Sequence, residues 1–154
     1  MSRVQLALNV GDLDAAIDFY MALFDTPPNK VRDGYANFGV ADPPLKLVLI
    51  AGQGTPGSLN HVGVEVESTD EVAAATVRMG EAGAACDVQD ATTCCYAVQD
   101  KVWVSGPEIP WEIYTVLADA DEMHAVDGSS GVPVAAGRRV GGRAVEQTDC
   151  CGFA

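Results

Sequence analysis

The chain has 154 residues, 48% of them hydrophobic, and a formal charge of −13 from 22 acidic and 9 basic side chains. That length allows one compact domain or two small fused modules, with enough apolar residues for a core. The acid excess excludes nucleic acid and anionic membrane as partners, because both need Lys and Arg to neutralise phosphate. No apolar run reaches spanning length, and the start "MSRVQLALNV" lacks the basic region, apolar run and cleavage site of a signal peptide, so the expected location is cytoplasmic. The five cysteines, Cys86, Cys94, Cys95, Cys150 and Cys151, are odd in number and contain no C-x-x-C, which argues against a disulfide framework, a zinc ribbon or a thioredoxin motif.

In chain order, "RVQLALNV" comes first. Val4, Leu6, Leu8 and Val10 alternate with Gln5, Ala7 and Asn9, which predicts a strand with one apolar and one polar face. "DLDAAIDFYMALF" follows, with Leu13, Ala16, Ile17, Tyr20, Leu23 and Phe24 at helical spacing and Asp12 placed to cap it. Short β-like runs come next, near 29–32, at 35–41 and at 45–51, and then the linker "GQGTPGS" at 52–58.

"NHVGVEV" at 60–66 restarts the series. A shift of 56 positions (61 − 5) lays Gln5 on His61, Ala7 on Gly63 and Asn9 on Glu65. A second helix is predicted from "STDEVAAATVRMGEAG". Ser68 and Glu71 have capping-box spacing, Val72, Ala75, Thr76 and Met79 form the stripe, and Gly83 marks the stop. Runs near 86–91, at 101–106 and at 110–117 complete a second βαβββ. The expected fold class is α+β: two tandem βαβββ modules, 3–51 and 60–118, forming a cupped, barrel-like mixed sheet within a domain of residues 1–118. Residues 119–154 are rich in Gly and small side chains, lack a sustained period and are expected to be a flexible, Cys-containing tail.

The polar face of such a sheet is where a ligand would sit. Gln5 and His61 hold equivalent positions on it. Glu112 is an acid inside the apolar "PWEIYTV", flanked by Trp111 and Ile113, which should face the other side. Burying that carboxylate is costly without a partner, and a metal is one partner. Gln, His and Glu form an N,O set that suits Fe(II), with Mn, Ni or Co as other occupants, and leaves positions open. The alternative is three polar side chains that are only solvated. Near the equivalent position in the first module stand Lys46 and Leu47, neither a ligand, and His124 reads as solvated.

The adjacent Cys94 and Cys95 in "TTCCYAVQDKVWV" are a poor core filler, because neighbours on a regular strand face opposite ways. A pair of small buried residues or a vicinal disulfide would account for them as well. Cys86 reads as structural.

The paired modules with "DLDAAIDFY", "LNHVGVEV" and "WEIYT" resemble the vicinal oxygen chelate (glyoxalase/bleomycin resistance/extradiol dioxygenase) superfamily across residues 3–118. Within it, "YANFGVADPPLKLVL", "LNHVGVEVESTDEV", "TTCCYAVQDKVWV" and "PWEIYTVLAD" closely resemble the Fe(II)-dependent organoarsenical C–As lyases. The resemblance implies a non-heme iron, O2-dependent dioxygenase that releases arsenite from trivalent methyl and aromatic arsenicals. It implies Gln5, His61 and Glu112 as metal ligands and Cys94 with Cys95 as the catalytic, substrate-binding thiols. It also implies that Cys150 and Cys151 are scavenging or incidental tail thiols. One departure is "VSGPEIPWE", less Gly-rich than that family's turn.

For both sulfurs to face one arsenic, 90–97 is expected to be a loop or bulged strand end that moves between open and closed positions. Tyr96, Trp103, Lys101 and Phe38 are candidate lining residues. The expected assembly is a monomer or homodimer. The competing expectations are another metal-dependent glyoxalase- or extradiol-dioxygenase-like enzyme, and a non-catalytic protein that binds a thiophilic ligand or drug.

Overall fold

A computed structural model describes residues 1–124 and the backbone of 138–140. The chain is α+β with two successive βαβββ repeats: β1 (Arg3–Val10), α1 (Leu13–Phe24), β2 (Lys30–Arg32), β3 (Tyr35–Val40) and β4 (Leu45–Ala51), then β5 (Leu59–Glu65), α2 (Thr69–Glu81), β6 (Cys86–Cys94), β7 (Ala97–Val104) and β8 (Trp111–Asp119). A further short strand, β9 (Arg138–Val140), pairs antiparallel with β6. It lies in the stretch expected to be a tail. Cys150 and Cys151 fall outside the described residues. Among the described residues no helix is long and apolar enough to cross a membrane.

Two compact units divide after Glu65. In the first, the strand order is β2-β3-β4-β1-β5, with β1 parallel to β4 and the remaining pairs antiparallel. β5 opens the second repeat in sequence but pairs with β1, so the compact unit extends past the first repeat. α1 covers one face. Leu13, Ala16, Ile17, Tyr20 and Phe24 pack with Leu6, Leu8 and Val10 onto a core of Ala36, Phe38, Val40, Leu47 and Leu49. Asp12 caps the helix as predicted, accepting from the Ala15 amide at 3.0 Å. Two expectations fail here. Leu23 is exposed, because it lies at the margin of the stripe. Phe38 is sealed in this core and lines no site.

In the second unit the order is β8-β7-β6-β9, all antiparallel. α2 covers it through Val72, packed with Cys86, Val102 and Val104, and Met79 and Ile113 join them. Ser68 caps α2 by accepting from the Glu71 amide at 3.3 Å, and the Glu71 carboxylate reaches back to the Glu67 amide. Gly83, at φ +83, ends the helix in the left-handed region where a side chain is disfavoured.

Candidate active site

Because side chains alternate along β1, burying Leu6, Leu8 and Val10 beneath α1 sends Gln5, Ala7 and Asn9 to the other face. That polar face is the more buried of the two: Gln5 and Asn9 are each 5% exposed. Register sets Gln5 opposite Gly63 and His61 opposite Ala7, which makes Gln5 and His61 diagonal neighbours with small residues beside each. They meet with Gln5 Nε2 at 3.0 Å from His61 Nε2, the histidine being 2% exposed. The equivalence read from the 56-residue shift is thus a direct contact. At the edge of the same strand pair, Glu65 binds Arg3 at 3.1 and 3.2 Å and Lys46 at 3.2 Å. Burial raises the Glu65 pKa, but Lys46 and Arg3 outweigh it and hold the carboxyl below its ordinary value.

In the second unit, Glu112 lies on β8 between exposed Trp111 and Ile113, which packs under α2, so it faces away from the helix as predicted. Its partner is Lys101: Nζ donates to Oε1 at 2.8 Å, with the lysine 0% and the glutamate 4% exposed. Trp103 stands opposite Glu112 and Tyr114 opposite Lys101, so this is again a diagonal cross-strand pair. Burial drives the Lys101 ammonium toward neutrality. The Glu112 carboxylate, with Cys94 and Cys95 close by, more than offsets this and keeps its pKa above the ordinary lysine value. Lys101 also lies over the Trp103 ring at 5.7 Å.

The position of the thiols depends on a bulge. On β6, Cys86 and Val88 oppose Val104 and Val102 and pack under α2. Simple alternation would put Cys94 on that same apolar face. Register slips between Gln89 and Thr92, where Asp90 and Ala91 together stand against Asp100. Ala91 has φ +47, and its amide donates to Asp100 Oδ1 at 2.7 Å, while the other Asp100 oxygen accepts from Thr69. One extra residue exchanges the two faces. Thr92 and Cys94 therefore lie across from Gln99 and Ala97, on the face of β7 that carries Lys101 and Trp103.

Cys94 opposite Ala97 closes a two-residue turn, Cys95-Tyr96, with φ 57 and 60. Paired left-handed residues suit a hairpin twist but normally call for Asn-Gly, and each ordinary side chain there costs about 1–2 kcal/mol. The left-handed Cys95 brings the two sulfurs within 3.2 Å of one another. Of the two expectations for 90–97, a loop or a bulged strand end, the second describes it: a long strand with a bulge, closed by a strained turn. Cys95 N–H donates to the Met123 carbonyl at 2.7 Å, and the Ala120 amide to the Tyr96 carbonyl at 3.0 Å. His124, expected to be solvated, is half-buried and bridges Cys94 through its backbone. Cys86, by contrast, is buried under α2, gives a weak bond to the Ala84 carbonyl at 3.7 Å, and has its thiol pushed up by burial. Its burial accords with the structural role expected of it.

The family model described as Glyoxalase/Bleomycin resistance protein/Dioxygenase superfamily matches residues 3–107. The chain belongs to that superfamily. It is 60% identical over 122 residues to the cadmium-induced protein CadI of Mycobacterium tuberculosis, covering 79% of this chain and 80% of that one. It is 57% identical over 132 residues to the trivalent organoarsenical cleaving enzyme of Thermomonospora curvata, covering 84% and 87%. Among solved structures, the Mn(II)-bound glyoxalase of Novosphingobium aromaticivorans superposes with a TM-score of 0.56 at 19% identity, covering 87% of this chain and 46% of that one, a likeness of fold.

The expected metal ligands divide between the units, Gln5 with His61 in the first and Glu112 in the second. Among the described residues no group of three or more His, Cys, Asp or Glu is gathered as a metal cluster. The expected set contains only two such residues, its third being an amide. Sequence reading passed over Asn9 and Asn60, which bond to each other, Asn60 also to the His61 ring, and Gln99, buried on the Lys101 face. Asn9 and Gln99 were signalled by falling in step with Gln5 and Lys101 on one strand face, whereas Asn60, next to His61, falls out of step by alternation and stands where the β1–β5 register shifts.

Proposed function

We propose that the chain is a non-heme Fe(II)-dependent dioxygenase that cleaves the C–As bond of trivalent organoarsenicals, methylarsenite and aromatic arsenicals among them, and gives arsenite. The observation that carries this is the pair of thiols 3.2 Å apart on the face that bears Lys101. The relatives named as trivalent organoarsenical cleaving enzymes support it.

The chain's own residues account for substrate capture. A monosubstituted arsenical, R–As(OH)2, reacts with the two thiols to give R–As(S–Cys)2 and two waters. The second As–S bond forms within one molecule and gains the effective concentration of a chelate. The Lys101 ammonium, held by Glu112, stands close enough to Cys94 and Cys95 to interact with their charge, and the thiolate is the form that attacks arsenic. The strained turn presents both sulfurs together before substrate arrives.

Gln5, His61 and Glu112 are the proposed metal ligands, and the donor set fits: an imidazole nitrogen, an amide oxygen once the Gln5 amide turns over, and a carboxylate with a second oxygen beyond the one bonded to Lys101. Iron held there would supply activation of O2 for oxidation at the C–As bond. Each proposed ligand is buried within its own unit, Gln5 and His61 in the first and Glu112 in the second. A cytoplasmic location is part of this reading, because capture by two thiols needs a compartment that keeps them reduced.

The test is to incubate anaerobically purified protein with Fe(II), a thiol reductant and methylarsenite, admit O2, and measure inorganic arsenite. Arsenite that requires both iron and O2 is expected; its absence contradicts the reading. Retained arsenical binding without turnover would instead favour a sequestering protein, the second reading that the same sulfur pair supports.

A further inference from the structure

The geometry points to a hydrogen-bond chain through Ser58, Asn9 and Asn60 that fixes the tautomer of His61 and makes Nε2 its ligating nitrogen, with Asn60 as a positioning residue. This rests on the proposed role of His61 as a metal ligand.

The chain can be followed from an end whose polarity is unambiguous. The Thr55 carbonyl can only accept, and it takes the Ser58 hydroxyl proton at 2.6 Å. With its one proton used, Ser58 Oγ accepts from Asn9 Nδ2 at 2.9 Å. That orients the Asn9 amide, whose Oδ1 accepts from Asn60 Nδ2 at 2.9 Å. Asn60 is oriented in turn, and its Oδ1 lies 2.8 Å from His61 Nδ1. An amide oxygen cannot donate, so Nδ1 carries the proton. Nε2 then holds the lone pair, and Gln5 Nε2 donates to it at 3.0 Å. Reversing either asparagine alone would set oxygen against oxygen or nitrogen against nitrogen between them, and reversing both would demand a second proton from Ser58.

The backbone holds the chain in place. The Asn9 amide donates to the Ser58 carbonyl at 2.9 Å and its carbonyl accepts from Gly57 at 2.8 Å, which fastens the turn after β4 onto the end of β1. Gly54, at φ +72, lets that turn approach: a methyl there would stand 2.7 Å from Asn9 Nδ2. "GQGTPGS", read in sequence as a linker, is the anchor of the relay. Metal-bound histidines depend on such a partner at the other ring nitrogen, and its loss typically costs about 10–100-fold in metal affinity.

The experiment uses the full chain in two measurements. Long-range 1H–15N spectra of 15N-histidine-labelled, metal-free protein at about pH 8.5, where an ordinary histidine is neutral, report the tautomer, with a His124→Gln variant assigning the second ring. Titration with Co(II) then reports affinity. The expected result is an Nδ1–H tautomer in the wild type. Asn60→Ala should give mixed tautomers and about 10–100-fold weaker Co(II) binding. Asn60→Asp keeps an acceptor oxygen toward Nδ1 and, with Asn9 turned over to donate to the second carboxylate oxygen and Ser58 donating to Asn9 instead of to Thr55, should restore both, and Asn9→Ala should shift the tautomer in the same sense as Asn60→Ala. An Nε2–H tautomer in the wild type, or an unchanged tautomer and affinity in Asn60→Ala, would overturn the inference. If Asn60→Ala does not fold, the wild-type tautomer alone decides. An Nδ1–H wild type that binds neither Co(II) nor Fe(II) would overturn the metal role of His61 and leave the relay standing.

Discussion

The two compact units use one structural device for two kinds of chemistry. In each, a diagonal pair across neighbouring antiparallel strands joins the buried groups: Gln5 with His61 across β1 and β5, Lys101 with Glu112 across β7 and β8. In the first unit every linked group is formally neutral or has a neutral form, and its orientation is set by a chain of amides ending on a backbone carbonyl. In the second the link is an ion pair, and the backbone nearby is bent by a bulge and a left-handed turn. The first arrangement suits holding a ligand atom in one orientation. The second suits gathering charge beside reactive sulfur. Register provides proximity in both, and the neighbouring residues decide the chemistry.

The contrast can be broken most severely at the bulge. Deleting Ala91 would restore simple alternation in β6 and return Cys94 to the face of Cys86. Arsenite release should then fall by about 100-fold or more, the scale of a lost chelate, and alkylation of Cys94 should slow. A comparable loss is expected of Cys94→Ser/Cys95→Ser, but with the melting temperature little changed.

Next in size is the ion pair. Lys101→Met leaves a buried carboxylate without its cation and should cost about 3–5 kcal/mol in denaturant unfolding. Lys101→Met/Glu112→Leu should recover most of that stability while abolishing turnover, which separates the pair's contribution to the fold from its part in the proposed site.

Smaller effects sharpen the comparison. Ala91→Gly should stabilise the protein by about 1 kcal/mol, because an exposed methyl is removed from a left-handed position. Glu65 supplies a pH test confined to the first unit. Its folded pKa lies below the ordinary 4.5, so its stabilisation is complete above that value and is lost as pH falls through the folded one. At neutral pH Glu65→Gln should be less stable than wild type by about 0.5–1 kcal/mol, and the gap should close on acidification. A gap that widened in acid would reverse the assignment.

Much of this was legible in the sequence because it rests on period. Alternation in 3–10 and 60–66 predicted the polar face, the 56-residue shift paired Gln5 with His61, and Ser68 with Glu71 marked the start of α2. What was not legible depends on a change of register. No local signal in "VQDATTCCY" shows which residue is the extra one, because Ala91 is an ordinary residue at a left-handed position. Cys95-Tyr96 lacks the Asn or Gly that announces a tight turn, so the segment reads as either a loop or a bulged strand end, with the turn itself unmarked. Phe38 looked available to a site because alternation alone does not say which face a helix will cover. Lys101 appeared as one lining candidate among several, and its bond to Glu112 became evident only with the β7–β8 register.

The central claim is that Cys94 and Cys95 act as one chelate for trivalent arsenic. The most direct measurement is intact-mass analysis after incubation with phenylarsenite, in a Cys150→Ser/Cys151→Ser background that removes the other adjacent pair. One arsenical per chain with two waters lost is expected, with both Cys94 and Cys95 protected from alkylation and no adduct once these two residues are also serine. An adduct that persists without them, or two arsenicals held singly by separate thiols, would contradict it.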